Sequence, residues 1–167
     1  MKIGIVREIK EKENRVAATP EGVKSLVETG ATVLIENNAG FNSGFSNEEY
    51  TKAGAQIVNT ASAWGADIII KVKEPLEPEY KFFRENQIIF TYFHLAGVTK
   101  KLTEALLKNK VTAIAYETVE DKNGKLPLLA PMSAVAGNMS VTMGSYYLTK
   151  FAGGRGMQLG SVLGKKF

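Results

Sequence analysis

Short apolar runs alternate with helix signals through this chain, and that alternation limits its fold more than any other feature. The runs are Lys2–Val6, Thr32–Glu36, Ala55–Val58, 67–72, 87–92 and Val111–Tyr116. Each has four to six residues, nearly uniform in apolar character, as expected of strands covered on both faces. Between the first two, Thr19-Pro20-Glu21 supplies an N-cap, a proline at N1 and an acid in the first turn, and Gly30 closes the helix that Val23, Leu26 and Val27 line. Ser46-Asn47-Glu48-Glu49 forms a capping box for a short helix ending at Gly54. Ser62–Gly65 reads as a turn or short helix, Leu76–Arg84 as a short helix behind Pro75, and Thr99–Lys108 as a helix capped by Thr99 with Leu102, Ala105 and Leu106 inward. The pattern predicts an α/β fold: an open parallel sheet with helices on both faces, Rossmann- or flavodoxin-like.

The chain changes character after the sixth run. Asp121-Lys-Asn-Gly is a turn, and Leu126–Pro131 an irregular connector. Met132–Phe151 reads as a long connecting helix whose Ser133, Gly137, Ser140 and Gly144 place small residues along one stripe, suited to close approach of another helix. Residues 153–167 hold five glycines and are expected to be a mobile tail. The expected organisation is a domain over 1–130, a connecting or oligomerisation helix over 131–152, and the tail.

Composition excludes several function classes. The net charge of +4 comes from 21 basic and 17 acidic residues without a block of five like charges, so neither a nucleic-acid arm nor a polybasic membrane signal is present. The absence of cysteine removes disulfides and thiolate metal sites, and with a single histidine no second one is available to complete nitrogen ligation, so no metal is expected. Arg7 interrupts the first apolar run before a signal-peptide core could form, and no stretch approaches the roughly 20 apolar residues of a membrane helix. These features predict a cytoplasmic protein.

In an open parallel sheet, ligands bind outside the carboxyl ends of the strands. Arg7, Glu8 and, further along the same loop, Arg15 follow the first run; Lys73 and Glu74 follow the fourth; His94, the only histidine, follows the fifth; Glu117 follows the sixth. A guanidinium such as Arg15 can grip a carboxylate with two parallel hydrogen bonds, although spacing alone favours a solvated loop arginine. Lys73 could hold a carboxylate or polarise a carbonyl. Lys71, two residues earlier and so assigned to the same face, is the lesser candidate, with one of the two expected in solvent. His94 can exchange a proton near neutral pH. The set suggests a site for a small anion and a proton transfer. Gly153-Gly-Arg-Gly156 is no phosphate loop, because a helix precedes it where the dinucleotide fingerprint needs a strand.

Met1-Lys-Ile-Gly-Ile-Val-Arg-Glu8, Glu13-Asn-Arg-Val-Ala-Ala-Thr-Pro20, Lys71-Val-Lys-Glu-Pro75, Phe93-His-Leu-Ala96, Ala115-Tyr-Glu-Thr118 and Leu126-Pro-Leu-Leu-Ala-Pro-Met-Ser133 occur in order and together resemble the N-terminal part of the alanine dehydrogenase and pyridine nucleotide transhydrogenase family. The Lys-Glu-Pro and His-Leu-Ala elements favour the dehydrogenase branch over the transhydrogenase α-subunit. The resemblance implies a substrate domain of an enzyme that converts L-alanine, NAD⁺ and water to pyruvate, ammonia and NADH. It implies that Arg15 and Lys73 bind substrate, that His94 is the catalytic acid and base, and that Ser133 touches NAD. Glu8, Glu117 and Met132 are possible pocket residues. It further implies a homo-oligomer assembled through helix 132–151, without nucleic-acid or membrane partners. Since the family's chain continues into an NAD-binding domain, the last residues here suggest a first segment, a fragment or one piece of a split protein, inactive alone. A non-catalytic interaction module or a transhydrogenase α-subunit-like segment is the alternative.

Overall fold

The computed structural model describes residues 1–166. The chain divides after Thr118 into two compact units. The first contains β1 (Lys2–Ile5), β2 (Thr32–Glu36), β3 (Gln56–Val58), β4 (Ile68–Lys73), β5 (Ile88–Tyr92) and β6 (Thr112–Ala115), in the sheet order β3-β2-β1-β4-β5-β6. Every neighbouring pair is parallel, so all six carboxyl ends share one edge.

Side-chain alternation along the strands builds a core on each face. In β2, Val33 and Ile35 join one buried cluster with Ile5, Val23, Ala39, Tyr50 and Ala55, whereas Leu34 between them joins the other with Trp64, Ile69, Ile89, Phe93, Leu102 and Leu106. Thus α1 (Pro20–Glu28) and α2 (Asn47–Lys52) cover one face, and α3 (Thr60–Trp64) and α4 (Lys100–Lys108) cover the other. Trp64, 1% exposed, stacks on Phe82 with ring centroids 5.7 Å apart. Gly4 of β1 lets α3 approach closely: a Cβ there would lie 2.2 Å from the Ala63 carbonyl oxygen.

Local chemistry accounts for most element ends. The Thr19 hydroxyl accepts the Gly22 N–H at 3.2 Å, and Ser46 and Glu49 cap each other reciprocally. Asn59 caps α3 by accepting the Ser62 N–H at 2.8 Å. Three expectations are corrected. Residues Glu77–Phe82 form a 3₁₀ helix instead of an α-helix over Leu76–Arg84. Thr99 occupies the N-cap position of α4, but its hydroxyl makes no capping bond. Lys71, expected to share a face with Lys73, one of the two in solvent, is fully buried; the register of β4 against β5 shifts between Ile70 and Lys73, so simple alternation does not run through this strand end.

The second unit begins at Val119. The Asp121 carboxylate closes the expected turn by accepting the N–H groups of Asn123 and Lys125 at 2.8 and 2.9 Å. The long helix, α5, spans Ala130–Leu148, starting two residues earlier than expected because Pro131 occupies its first turn rather than ending the connector. None of its residues is buried. Within the stretch expected to be mobile, β7 (Ser161–Val162) and β8 (Lys165–Lys166) pair as an antiparallel hairpin; Phe167 lies outside the described residues.

Candidate functional site at the carboxyl edge of the sheet

Four strand ends of the first unit deliver the candidate residues. Arg15 lies in the long loop between β1 and α1. Its Nε and Nη2 donate to the two oxygens of Glu13 at 2.8 and 2.7 Å, a bidentate pair that fixes the guanidinium plane. The Nη1–Nη2 edge is the one a second carboxylate would engage. This hydrogen-bonded pairing holds the Glu13 carboxyl below its ordinary range, with Lys73 adding to the effect, and raises Arg15, with Tyr92 and Glu8 adding.

Lys73 is the last residue of β4 and pairs with Tyr92 at the end of β5. Its carbonyl accepts the Thr91 hydroxyl at 2.9 Å. Its N–H and that of Val72 both donate to Glu8 Oε1, at 3.3 and 2.6 Å. The other Glu8 oxygen lies 3.2 Å from Lys71 Nζ, which is 2.9 Å from Glu79 Oε1 and 5.9 Å from the Trp64 ring centroid. Glu79 Oε2 in turn accepts the Leu76 N–H at 2.7 Å. Burial pushes the Glu79 carboxyl above its ordinary range, because one ammonium offsets only one of the two carboxylates beside it.

His94 follows β5 with φ 45°, a left-handed conformation uncommon for any residue but glycine. Two contacts hold it there. Its N–H donates to Glu117 Oε1 at 2.6 Å, and its ring lies over Gly97, where a Cβ would approach Nε2 to 2.6 Å. His94 is exposed. Glu117 Oε2 is buried and has no hydrogen-bond partner among the described residues. Tyr92 is raised by burial, opposed by Arg15 and reinforced by Glu117. Tyr116, packed edge-on against Tyr92 at 4.7 Å, is raised by burial, with Tyr92 and Glu8 adding.

The parallel strands and these hydrogen bonds bring Arg15, Lys73, Glu8, Tyr92, Glu117 and His94 to one edge. Of them, Tyr92 is absent from the sequence reading, as are Glu13 and Tyr116. Signals existed: Glu13 sits two residues before Arg15, and both tyrosines close strands beside candidate residues. Arg7 does not join the set through its N–H, which donates to Glu36 Oε2 at 2.9 Å on the far side of β1. Met132 and Ser133 lie in the first turn of α5, in the second unit, half-buried and exposed respectively. Cavities of about 310 Å³, lined by residues including Glu74, Tyr80 and Thr99, and of about 280 Å³, lined by residues including Arg7, Glu36 and Lys81, open on the flanks. Neither is lined by Arg15, Lys73 or His94, so the candidate site is an open edge and not one of these hollows.

The strand order is the one that binds dinucleotides in other folds, which invites a test of fit. The loop after β1 holds no glycine and carries Glu8, Glu11 and Glu13 where a pyrophosphate would approach. Glu36, at the ribose-recognition position ending β2, is committed to the Arg7 N–H and the Thr60 hydroxyl, the latter at 2.7 Å. The first unit does not fit a dinucleotide. Among the described residues no group of three or more acidic or histidine side chains could hold a metal ion. What the edge can do is bind a small carboxylate between two cations and exchange a proton at His94.

Residues 4–136 match the family described as alanine dehydrogenase/PNT, N-terminal domain. An alanine dehydrogenase of Staphylococcus epidermidis is 56% identical over 165 residues, covering 98% of this chain and 44% of that protein. Alanine dehydrogenase 2 of Staphylococcus aureus is 55% identical over the same shares. A solved L-alanine dehydrogenase structure superposes with a TM-score of 0.89 at 49% identity, over 98% of this chain and 45% of its own. A transhydrogenase from Sinorhizobium meliloti superposes with a TM-score of 0.69 at 30% identity, over 74% of this chain and 35% of its own. The chain therefore spans less than half the length of the relatives it matches.

Proposed function

We propose, from the premise that this chain belongs to the alanine dehydrogenase/PNT N-terminal domain family, that it is the substrate-binding segment of an NAD-dependent L-alanine dehydrogenase. The observation that carries the reading is that Arg15, from the loop after β1, and Lys73, the last residue of β4, both act on Glu13 at the sheet edge where Glu117 accepts the His94 N–H.

In this reading the open edge of the Arg15 guanidinium takes the carboxylate of L-alanine or pyruvate. Lys73 holds the carboxylate or the carbonyl oxygen, and its positive charge favours the polarised C=O. His94 takes up and returns the proton as amine passes through imine and carbinolamine to ketone. NAD supplies the oxidant when bound. The first unit does not fit it, and Ser133 is the cofactor contact carried over from the family. Glu117 is a pocket residue in this reading. The chain self-associates through helix 132–151, whose exposed Val135, Met139, Val141 and Tyr147 call for a protein surface. Its compartment is the cytoplasm.

Titration of the 167-residue chain with pyruvate, followed by amide chemical shifts, tests this. Saturable shifts around Arg15 and Lys73 are expected, with affinity falling about tenfold or more in Arg15→Ala. Unchanged affinity in both Arg15→Ala and Lys73→Ala would sink the site. With L-alanine and NAD⁺ the chain alone is expected to form no NADH; robust formation would overturn the segment reading. In a full-length enzyme His94→Ala should abolish turnover while leaving the fold intact.

A further inference from the structure

We propose that Glu8 is the positioning residue of this site: its carboxylate continues the ladder beyond the end of β1, ties Lys73 to a buried ion-pair chain, and so sets where that lysine leaves the sheet. The proposal rests on the substrate reading only in that Lys73 is the group being positioned.

Three observations carry it. First, β1 ends at Ile5, opposite Ile70, so β4 runs on without a strand partner on that side. Val72 and Lys73 would present N–H groups to an empty edge, and Glu8 Oε1 accepts both. One side chain from the loop after β1 thus replaces the missing strand. Second, this happens where the register of β4 against β5 shifts, between Ile70 and Lys73. A strand end irregular on one side needs a fixed partner on the other to keep a single conformation.

Third, Glu8 is itself held. Its side chain is 3% exposed, and its second oxygen faces Lys71 Nζ, which is 0% exposed and is gripped from beyond by Glu79. Glu79 is anchored on the Leu76 N–H. The chain Leu76 N–H, Glu79, Lys71, Glu8, Lys73 N–H therefore runs unbroken from the 3₁₀ helix to the site. Lys71 and Glu8 form an ion pair, and the other links are charge-assisted hydrogen bonds, the class that best fixes geometry. A buried ion pair contributes little net stability against an apolar replacement, so its value here lies in fixing geometry. Glu8 does not face substrate in this arrangement; both oxygens are engaged within the protein. It acts through Lys73, which makes it a positioning residue and not the pocket residue the sequence suggested.

The test is Glu8→Asp in the 167-residue chain, which keeps the charge for Lys71 but withdraws the carboxylate by one methylene. Hydrogen exchange read by NMR should quicken about tenfold or more at Val72 and Lys73, the loss expected of a charge-assisted bond, while Ile69 and Ile89 stay protected. Pyruvate affinity should fall by a similar factor. Glu8→Ala should give the same local pattern; if that variant does not fold, Glu8→Asp decides. Wild-type exchange at Val72 and Lys73 in Glu8→Asp overturns the proposal. So does an equal loss of protection at Ile69 and Ile89, which would mark Glu8 as general scaffolding. Failure of the wild-type chain to bind pyruvate counts against the substrate reading instead, and the exchange arm still decides the role of Glu8.

Discussion

The two compact units bury apolar surface in opposite ways. In residues 1–118 each face of the sheet closes over its own cluster, and large side chains such as Trp64, Tyr50 and Phe93 are almost wholly covered. In the second unit the 19-residue α5 is apolar around its circumference and buries nothing. None of the described helices is long and apolar enough to cross a membrane. The lesson is that the sheet satisfies its own pattern, whereas α5 carries a pattern written for a neighbour. A helix with apolar residues on all sides is stable only when something covers it.

Equal substitutions in the two units should break this symmetry most sharply. Gly4→Val puts a side chain into the Ala63 carbonyl and is expected to cost more than about 4 kcal/mol, seen as loss of the cooperative urea transition. Gly137→Val, where a Cβ meets nothing within 4 Å, should leave that transition in place. If Gly4→Val folded normally, the account of close β1–α3 packing would be wrong. Next, Trp64→Ala should lower stability by about 3–5 kcal/mol in the same measurement, since it empties the centre of one cluster. A loss below 1 kcal/mol would mean that the cluster collapses to fill the space.

A smaller effect concerns pH. Glu79 has a folded-state pKa above its ordinary 4.5, set mainly by burial and opposed by Lys71, with Glu8 pushing the same way as burial. The folded chain therefore holds that proton more tightly than the unfolded chain. Its contribution is fully present below pH 4.5 and is lost as pH rises through the folded value. Glu79→Gln should flatten the fall in stability across that window; an unaltered pH profile would show that another group sets it. The smallest effect belongs to α5. Gly137→Ala should stabilise the helix by about 0.5–1 kcal/mol, read from thermal melting by circular dichroism. A loss of stability there would indicate that the missing side chain is needed for contact with another surface.

Much of the fold was legible because its signals are local. Apolar runs marked every strand of the sheet, and Thr19-Pro20, Ser46 to Glu49 and Gly30 marked helix ends through hydrogen bonds made within a few residues. The site was legible only as a set of residue types after strands. What escaped depends on distant partners. Lys71 and Lys73 differ by one step of alternation on paper, yet Lys71 is buried by Glu8 and Glu79, and no local rule tells which lysine a remote carboxylate will claim. The register shift in β4 is likewise a property of its pairing with β5. Thr99 sits at the N-cap of α4 as its sequence position suggests, but whether its hydroxyl makes the capping bond is not written in the residue type. The left-handed His94 has no sequence signature beyond Gly97, whose lack of a side chain makes room for the ring.

The central position of β1 has a consequence for synthesis. Ile5, Val23, Val33, Ile35, Ala39, Tyr50 and Ala55 complete the buried part of one cluster, and β1, β2 and β3 are contiguous in the sheet. Every one of these residues has left the ribosome by the time Val58 emerges. The opposite cluster cannot close before Leu106. The nascent chain thus meets its two cores one after the other. The first to be completed leaves β1 with an open edge until β4 arrives, an unpaired strand edge that a growing chain must keep from wrong pairing.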